Sequence, residues 1–564
     1  MSDEKVKVVL CWHMHQPLYR DTSNDQYILP WTYLHAIKDY VDMADHIENS
    51  PKIKTVVNFA PILLEQLDDY AQNISQWEKN QSKLRDPLLG ALVCDEISKL
   101  TKSEKIKLIK SCLKANEERL IDRFPHFAQL AAIAKQILLN ETMLDYINED
   151  FISDILVWYH IAWMGETVRK ESAFILRLMD KEKGFTLQER RELLVLIGEL
   201  VGSVIPRYRA LAQSGKVELA FSPYAHPIVP LLLDLQSAHD AAPEMPLPSH
   251  DKYAGGYERA EWHFRHGKEV FKKYFGFEPQ GCWPSEGAVS EDTLKLCSEM
   301  GIKWVATGEN VLRNSLNHSV TVDDDCIHKT YQYDHASVRC FFRDDGLSDL
   351  IGFDYSKWHA DDAVSNLIHH LENIAHACPD KKNTVITIVL DGENAWEYYP
   401  ENAFYFLSAL YRSFADHALL ETVTFSECVD ENLETQKLPR LIAGSWVYGT
   451  FSTWIGDNEK NRAWDLLCEA KLACDNVLES GRLSTEEKEA VLHQLAICEG
   501  SDWFWWFGDY NPGESVKDFD RLYRQHLTLL YEKMGKPIPP GLGDVISVGG
   551  GDPAAGGVMR QGSQ

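Results

Sequence analysis

Short apolar runs rich in β-branched residues recur along this chain, and each ends abruptly in polar or aromatic residues. Lys5–Trp12 (KVKVVLCW) leads into His-Met-His-Gln-Pro, Lys54–Phe59 (KTVVNF) is a second run, and Val217–Phe221 precedes Ser-Pro-Tyr. Gly281–Trp283, Trp304–Thr307, Val338–Phe342, Val385–Leu390 (VITIVL) and Val423–Phe425 continue the series. Continuous apolar runs of this length are strands covered on both faces. Alternating with helical stretches, they predict a parallel α/β sheet. Seven or eight of them predict a barrel, with its working groups at the C-terminal ends of the strands.

The rhythm breaks between about residues 66 and 206. Lys105–Leu120 and Gln188–Val204 carry helical spacing and many Leu, Ile, Glu and Lys there, which predicts a large helical insertion. Asn461–Glu479 and Thr485–Cys498 read as amphipathic helices. The expected organisation is a catalytic barrel over 1–435, a C-terminal helical domain over 436–536, and a flexible Gly/Pro-rich tail over 537–564.

Charge narrows the function classes. With 57 Lys+Arg against 85 Asp+Glu, the net charge is −28. Such a surface repels phosphate backbones and anionic lipid, so neither a nucleic acid nor a membrane is an expected partner. A neutral ligand suffers no such penalty, and 16 Trp, 23 Tyr and 22 Phe supply faces to hold one. The N-terminus lacks the pattern of a secretory signal, and the 12 Cys form no Cys-x-x-Cys pair. A cytoplasmic protein with reduced thiols is therefore expected.

Three strand ends carry the chemistry. His13 and His15 alternate with Met14, so both face one way if the strand persists. There they can bind hydroxyls or a metal, or else cap and pack. Gly281-Cys-Trp-Pro-Ser-Glu286 puts a carboxylate after a short strand; opening a helix is its blander role. Leu390-Asp-Gly-Glu-Asn-Ala-Trp396 ends a buried strand in two acids beside aromatic rings. Two carboxylates at different strand ends are the minimum equipment for glycoside hydrolysis, one attacking the anomeric carbon and one protonating the leaving oxygen. Six of the 16 Trp fall between Trp446 and Trp506. Trp464 reads as a packing residue, whereas Trp446, Trp454 and Trp505 or Trp506 suit cleft walls. Asp457 and Asp509 suit hydroxyl binding or helix capping.

The order of four motifs resembles glycoside hydrolase family 57, α-amylase and amylopullulanase type, over most of residues 5–510. They are His13-Met-His-Gln-Pro17, Gly215-Lys-Val-Glu-Leu-Ala with Pro223-Tyr-Ala-His-Pro-Ile228, Gly281-Cys-Trp-Pro-Ser-Glu286 and Leu390-Asp-Gly-Glu-Asn-Ala-Trp396. The resemblance implies an incomplete (β/α)7 barrel closed by a helical bundle, no cofactor, and no metal. It puts the nucleophile on Glu286 and the acid/base on Asp391, in a retaining double displacement on α-1,4-glucans or maltooligosaccharides. It also implies that His13, His15, His226, Glu393 and Trp396 contact or line the sugar site. Trp283, Trp446, Trp454, Asp457 and Trp505 complete the expected substrate-binding set.

Three other readings stand beside this one. A 4-α-glucanotransferase shares the first chemical step. A metal-dependent polysaccharide deacetylase or α-mannosidase-like hydrolase is supported by His13-x-His15, with Asp391 as a further ligand, but leaves Glu286 without a role. A silent glucan-binding protein would keep the cleft without needing both acids.

Overall fold

The computed structural model describes residues 4–21, 23–317, 326–551 and 559. Its centre is a set of seven parallel strands: β1 (Val6–Met14), β2 (Thr55–Phe59), β3 (Val217–Phe221), β4 (Gly281–Cys282), β5 (Trp304–Gly308), β6 (Arg339–Arg343) and β7 (Val385–Asp391). They pair in the order β7-β1-β2-β3-β4-β5-β6. β1, with every residue buried, lies between β7 and β2. In register, His13 stands opposite Asp391 on one side and Asn58 on the other.

The barrel does not close by a ladder. Where β6 faces β7, the Asp344 N–H donates to Thr387 O (2.8 Å), and the Val385 N–H to His328 O (2.9 Å). The Arg343 guanidinium donates to Val389 O (2.9 Å). The free edge of β7 thus finds partners without a neighbouring strand. This is an incomplete (β/α)7 barrel.

Three further short strands join this sheet without an apolar-run signal. Thr330–Tyr333 lies antiparallel to β6, Thr435–Leu438 pairs with Thr330–Tyr333, and Leu420–Thr422 pairs with the start of β1. Val423–Phe425, expected as a strand, is instead a plug for the barrel floor. Thr424 and Glu427 form a capping box that starts the helix Phe425–Asp430. The Phe425 ring packs against Trp304 (4.3 Å) and Phe341 (4.6 Å) inside the barrel.

Between β2 and β3 the described chain forms helices and no strand, from α1 (Pro61–Asn80) to α2 (Leu187–Gln213). α2 runs on through Pro206. α3 (Gly256–Phe275) follows β3. After the barrel come α4 (Asn458–Glu479), α5 (Thr485–Cys498), α6 (Ser501–Trp506) and α7 (Gly513–Lys533). The expected tail differs over residues 537–551. Leu542 and Ile546 are buried, and the Ile546 N–H donates to Asp520 at 2.8 Å. That stretch is packed against α7 because two apolar side chains and a carboxylate hold it. The remainder of the expected tail, other than residue 559, lies outside the described residues. No described helix is long and apolar enough to cross a membrane.

Candidate active site

Strand periodicity builds the site. Val9 and Cys11 of β1, Val56, Ala220, Trp304 with Ala306, Phe341, and Val385 with Val389 form one apolar cluster inside the barrel. The alternating residues Val8, Leu10, Trp12, Ile386, Ile388 and Leu390 pack outward with the helices. One further step of two along the inner face brings His13, Asn58, Ser222, Gly308, Arg343 and Asp391 to the mouth. The interior is therefore apolar at depth and polar at the C-terminal rim. Gly308 has a steric reason: a Cβ there would lie 2.6 Å from Trp446 Cα.

Three histidines meet at this rim. The His15 and His226 rings stack at 3.9 Å, and His13 lies 5.1 Å from His226, all within about 20° of parallel. His13 Nδ1 donates to Asn58 Oδ1 at 2.6 Å, which fixes its tautomer. Burial, then the His15 neighbour, pushes His13 down to about 3, and burial with both neighbours holds His226 well below the ordinary value. Both are neutral hydrogen-bonding groups at physiological pH. His226 takes a left-handed backbone (φ 60°).

Glu286 sits on the turn Ser285–Gly287, also left-handed (φ 58°), a conformation costing about 1–3 kcal/mol outside glycine. The Trp446 N–H holds its carbonyl at 3.1 Å, and Trp446 Nε1 donates to its carboxyl at 3.1 Å. His226 Nδ1 stands 3.8 Å from the same carboxyl. Burial first, then the charges of Asp391 and Asp502, push Glu286 up to about 8. Asp391, the last residue of β7, is pushed up to about 6 by burial, against the Asn394 amide, His15 and Arg343. Two carboxyls whose charges oppose each other titrate as a pair. Near neutral pH that pair holds one proton.

The helical domain completes the mouth. The Ser501 N–H donates to His226 O (2.9 Å), and the Ser501 hydroxyl meets His226 Nδ1 (3.0 Å). Asp502 bonds His15 Nε2 at 2.8 Å. α6 is aimed from two residues upstream: the buried Glu499 carboxylate accepts from Arg259 (2.7 Å), His263 (2.8 Å) and Tyr253 (2.5 Å).

The expected site residues divide. His13, His15, His226, Trp283, Glu286, Asp391 and Trp446 come together; Trp283 packs 5.4 Å from Trp446 and 6.4 Å from His13. The others are placed elsewhere. Glu393 is a buried strut bonded by Gln16 (2.6 Å) and by the Tyr40 hydroxyl. Trp396 is 1% exposed, its N–H spent on Gly392 O and its ring edge-on to Trp12. Trp454 is fully buried and packs 5.9 Å from Trp505, itself 6% exposed. Asp457 caps α4 by accepting the Glu459 N–H at 2.8 Å. Asn58, Ser222, Arg343, Ser501 and Asp502 were missed. The first three were findable by extending each strand's inner face two residues; nothing local marks the last two. Among the described residues, one group has metal-ligand spacing, His15, His226 and Asp502, with donor atoms within 4.8 Å of one another. Asp391 is not in it.

The family model for glycosyl hydrolase family 57 matches residues 9–441, a span holding both carboxyls and all three histidines. The chain belongs to glycosyl hydrolase family 57. It is thus an enzyme of the glycoside hydrolase class. Solved structures similar to this family 57 chain include a branching enzyme of Pyrococcus horikoshii, 14% identical, covering 95% of this chain and 93% of that one with a TM-score of 0.58. An α-amylase of Thermotoga maritima is 13% identical and covers 95% of each chain, also with a TM-score of 0.58. A Thermococcus kodakaraensis branching enzyme is 15% identical, covers 94% of this chain and 90% of that one, and has a TM-score of 0.56. At such identities the likeness is one of fold, and it spans barrel and helical domain together. No curated protein matches this family 57 sequence significantly.

Proposed function

We propose that the chain cleaves α-1,4-glucans of the maltooligosaccharide type by double displacement, with Glu286 as nucleophile and Asp391 as acid/base. The supporting observation is the pair of carboxyls at the ends of β4 and β7, Asp391 buried and Glu286 largely so, whose charges oppose each other beside three histidines. In the first step Glu286 attacks the anomeric carbon while Asp391 gives its proton to the leaving oxygen. In the second, Asp391 takes a proton from water as the water oxygen attacks the anomeric carbon and releases the Glu286 carboxylate. The free pocket favours the proton on Glu286. Turnover requires it on Asp391. A leaving-group oxygen accepting from Asp391 favours that transfer, as do the Trp446 and Ser501 donors that favour ionised Glu286.

Hydrolysis of the amylase or amylopullulanase kind is the outcome we propose. Glycosyl transfer is the second reading, because the likeness in fold extends as closely to branching enzymes as to an α-amylase. No disulfide joins the described cysteines, which fits a reducing, cytoplasmic setting. Incubation with single-length maltooligosaccharides tests the proposal. Glucose and maltose support hydrolysis; longer or branched products support transfer. Unchanged substrate with active-site-intact protein overturns the substrate class.

A further inference from the structure

His15, His226 and Asp502 come from the tip of β1, the loop after β3 and the start of α6, yet each places one donor atom within 4.8 Å of the other two. We propose that these three residues form a site for one divalent transition-metal ion, Zn2+ being the reference case, and that metal and sugar occupy it alternately. Two imidazoles and a carboxylate suit such an ion. Three protein ligands with a fourth position open are a common zinc arrangement, needing ligand atoms about 3.4 Å apart. His15 Nε2 and Asp502 are already at 2.8 Å, and the His15 and His226 rings stack face to face at 3.9 Å. Stacked rings point their in-plane lone pairs alongside each other, so one ring must turn out of the stack before both nitrogens reach an ion at bonds of about 2.1 Å.

A second observation points the same way. His15 Nδ1 and His226 Nε2 are both buried without a hydrogen-bond partner, and the His226 side chain is wholly buried. Each ring thus spends only one nitrogen on the protein. A proton on His15 can pass to Nδ1 when Nε2 takes the ion, with no existing bond to break there.

The site is not a neutral bystander. His226 Nδ1 is 3.8 Å from the Glu286 carboxyl, so a dication among these ligands draws Glu286 toward it. The ion also takes up the imidazole nitrogens proposed to meet the sugar hydroxyls. Metal loading therefore inactivates. Metal binding does not depend on the glucan reading; the inactivation does.

The experiment is equilibrium dialysis of chelator-treated full-length protein against Zn2+ alone, with metal counted per chain. Co2+ substitution is followed by absorption. Wild type is expected to hold one ion per chain, with Co2+ showing d–d bands and no thiolate charge-transfer band. Asp502→Asn and His226→Gln should each weaken binding at least about tenfold, with far-UV circular dichroism unchanged. Asp502→Asn keeps the side chain's shape, so it decides the matter if His226→Gln unfolds. Absence of binding, binding unchanged in Asp502→Asn, or a thiolate band locating the ion on cysteines overturns the site. If Zn2+ binds as expected while maltotriose neither competes with it nor is processed, the metal site stands and the glucan reading falls.

Discussion

Asp391 and Glu286 differ in what each could do without the other's proton. If Asp391 supplies the proton for the leaving oxygen, that need vanishes when the leaving group is a good one. Asp391→Asn should lower turnover of maltooligosaccharides about 10³-fold. Release of nitrophenol from a nitrophenyl maltoside in the pre-steady state should stay within about tenfold of wild type. Glu286→Gln should abolish both. The opposite pattern, with Glu286→Gln sparing the activated substrate, would reverse the roles. The same pair sets the pH profile. Below about 6 both carboxyls are protonated, which leaves the proposed roles no nucleophile; above about 8 both are ionised, which leaves them no acid. A bell-shaped kcat/KM with its maximum between those limits is expected. Asp391→Asn should lower the Glu286 titration, since its charge is one cause of the rise. A Glu286 titration unmoved by that substitution contradicts the linkage. These residues were legible in the sequence because each ends a strand run. Glu393 and Trp396 misled because a motif names residues without saying which way they turn. Even and odd positions separate at the strand end, and the chain then folds Trp396 back onto Trp12.

Glu499 binds two elements into one site. It ends α5, clasps Arg259 and His263 of α3, and thereby sets where α6 delivers Ser501 and Asp502. Burial pushes its carboxyl up, but the Arg259 guanidinium and the His263 and Arg259 hydrogen bonds outweigh it, leaving it at about 2 against an ordinary 4.5. The value is depressed, so the stabilisation is complete above about 4.5 and lost as pH falls through about 2. That difference corresponds to about 3 kcal/mol. Glu499→Gln leaves Arg259 buried without its counter-charge and should cost about 3–5 kcal/mol at neutral pH. Thermal melting across pH measures it. A variant whose melting temperature is unchanged at pH 7 contradicts the clasp, and so does one that keeps the wild-type loss of stability between pH 4.5 and 2. No sequence pattern announces this clasp. Arg259 and Glu499 lie 240 positions apart, and neither belongs to a motif. Helices with regular spacing were readable because their apolar stripes repeat locally. Thr330–Tyr333 and Thr435–Leu438 were not, because strands of four residues at the end of the sheet need no apolar run.

At the scale of the whole molecule, the net charge of −28 and the architecture act on the same choice of substrate. The barrel supplies an apolar floor and a polar rim. The helical domain brings a second layer of acid, Asp502, over that rim, and the cationic Arg343 at the mouth is held by Asp345 and Asp349 at 2.6 Å each. Arg343 therefore offers an anion no free positive charge, and the net acidic surface beyond it repels one. A neutral glucan approaches without electrostatic help or hindrance. Its kcat/KM should vary less than about twofold between roughly 0.05 and 0.5 M salt, where the screening length falls from about 14 Å to about 4 Å. A phosphorylated dextrin of the same length should be processed more slowly at low salt, gaining as salt screens the repulsion. Initial rates on matched neutral and phosphorylated chains measure both slopes. Equal slopes for the two would mean that the acidic surface plays no part in selection. Faster turnover of the phosphorylated chain at low salt would mean that the cleft holds a cation able to receive it.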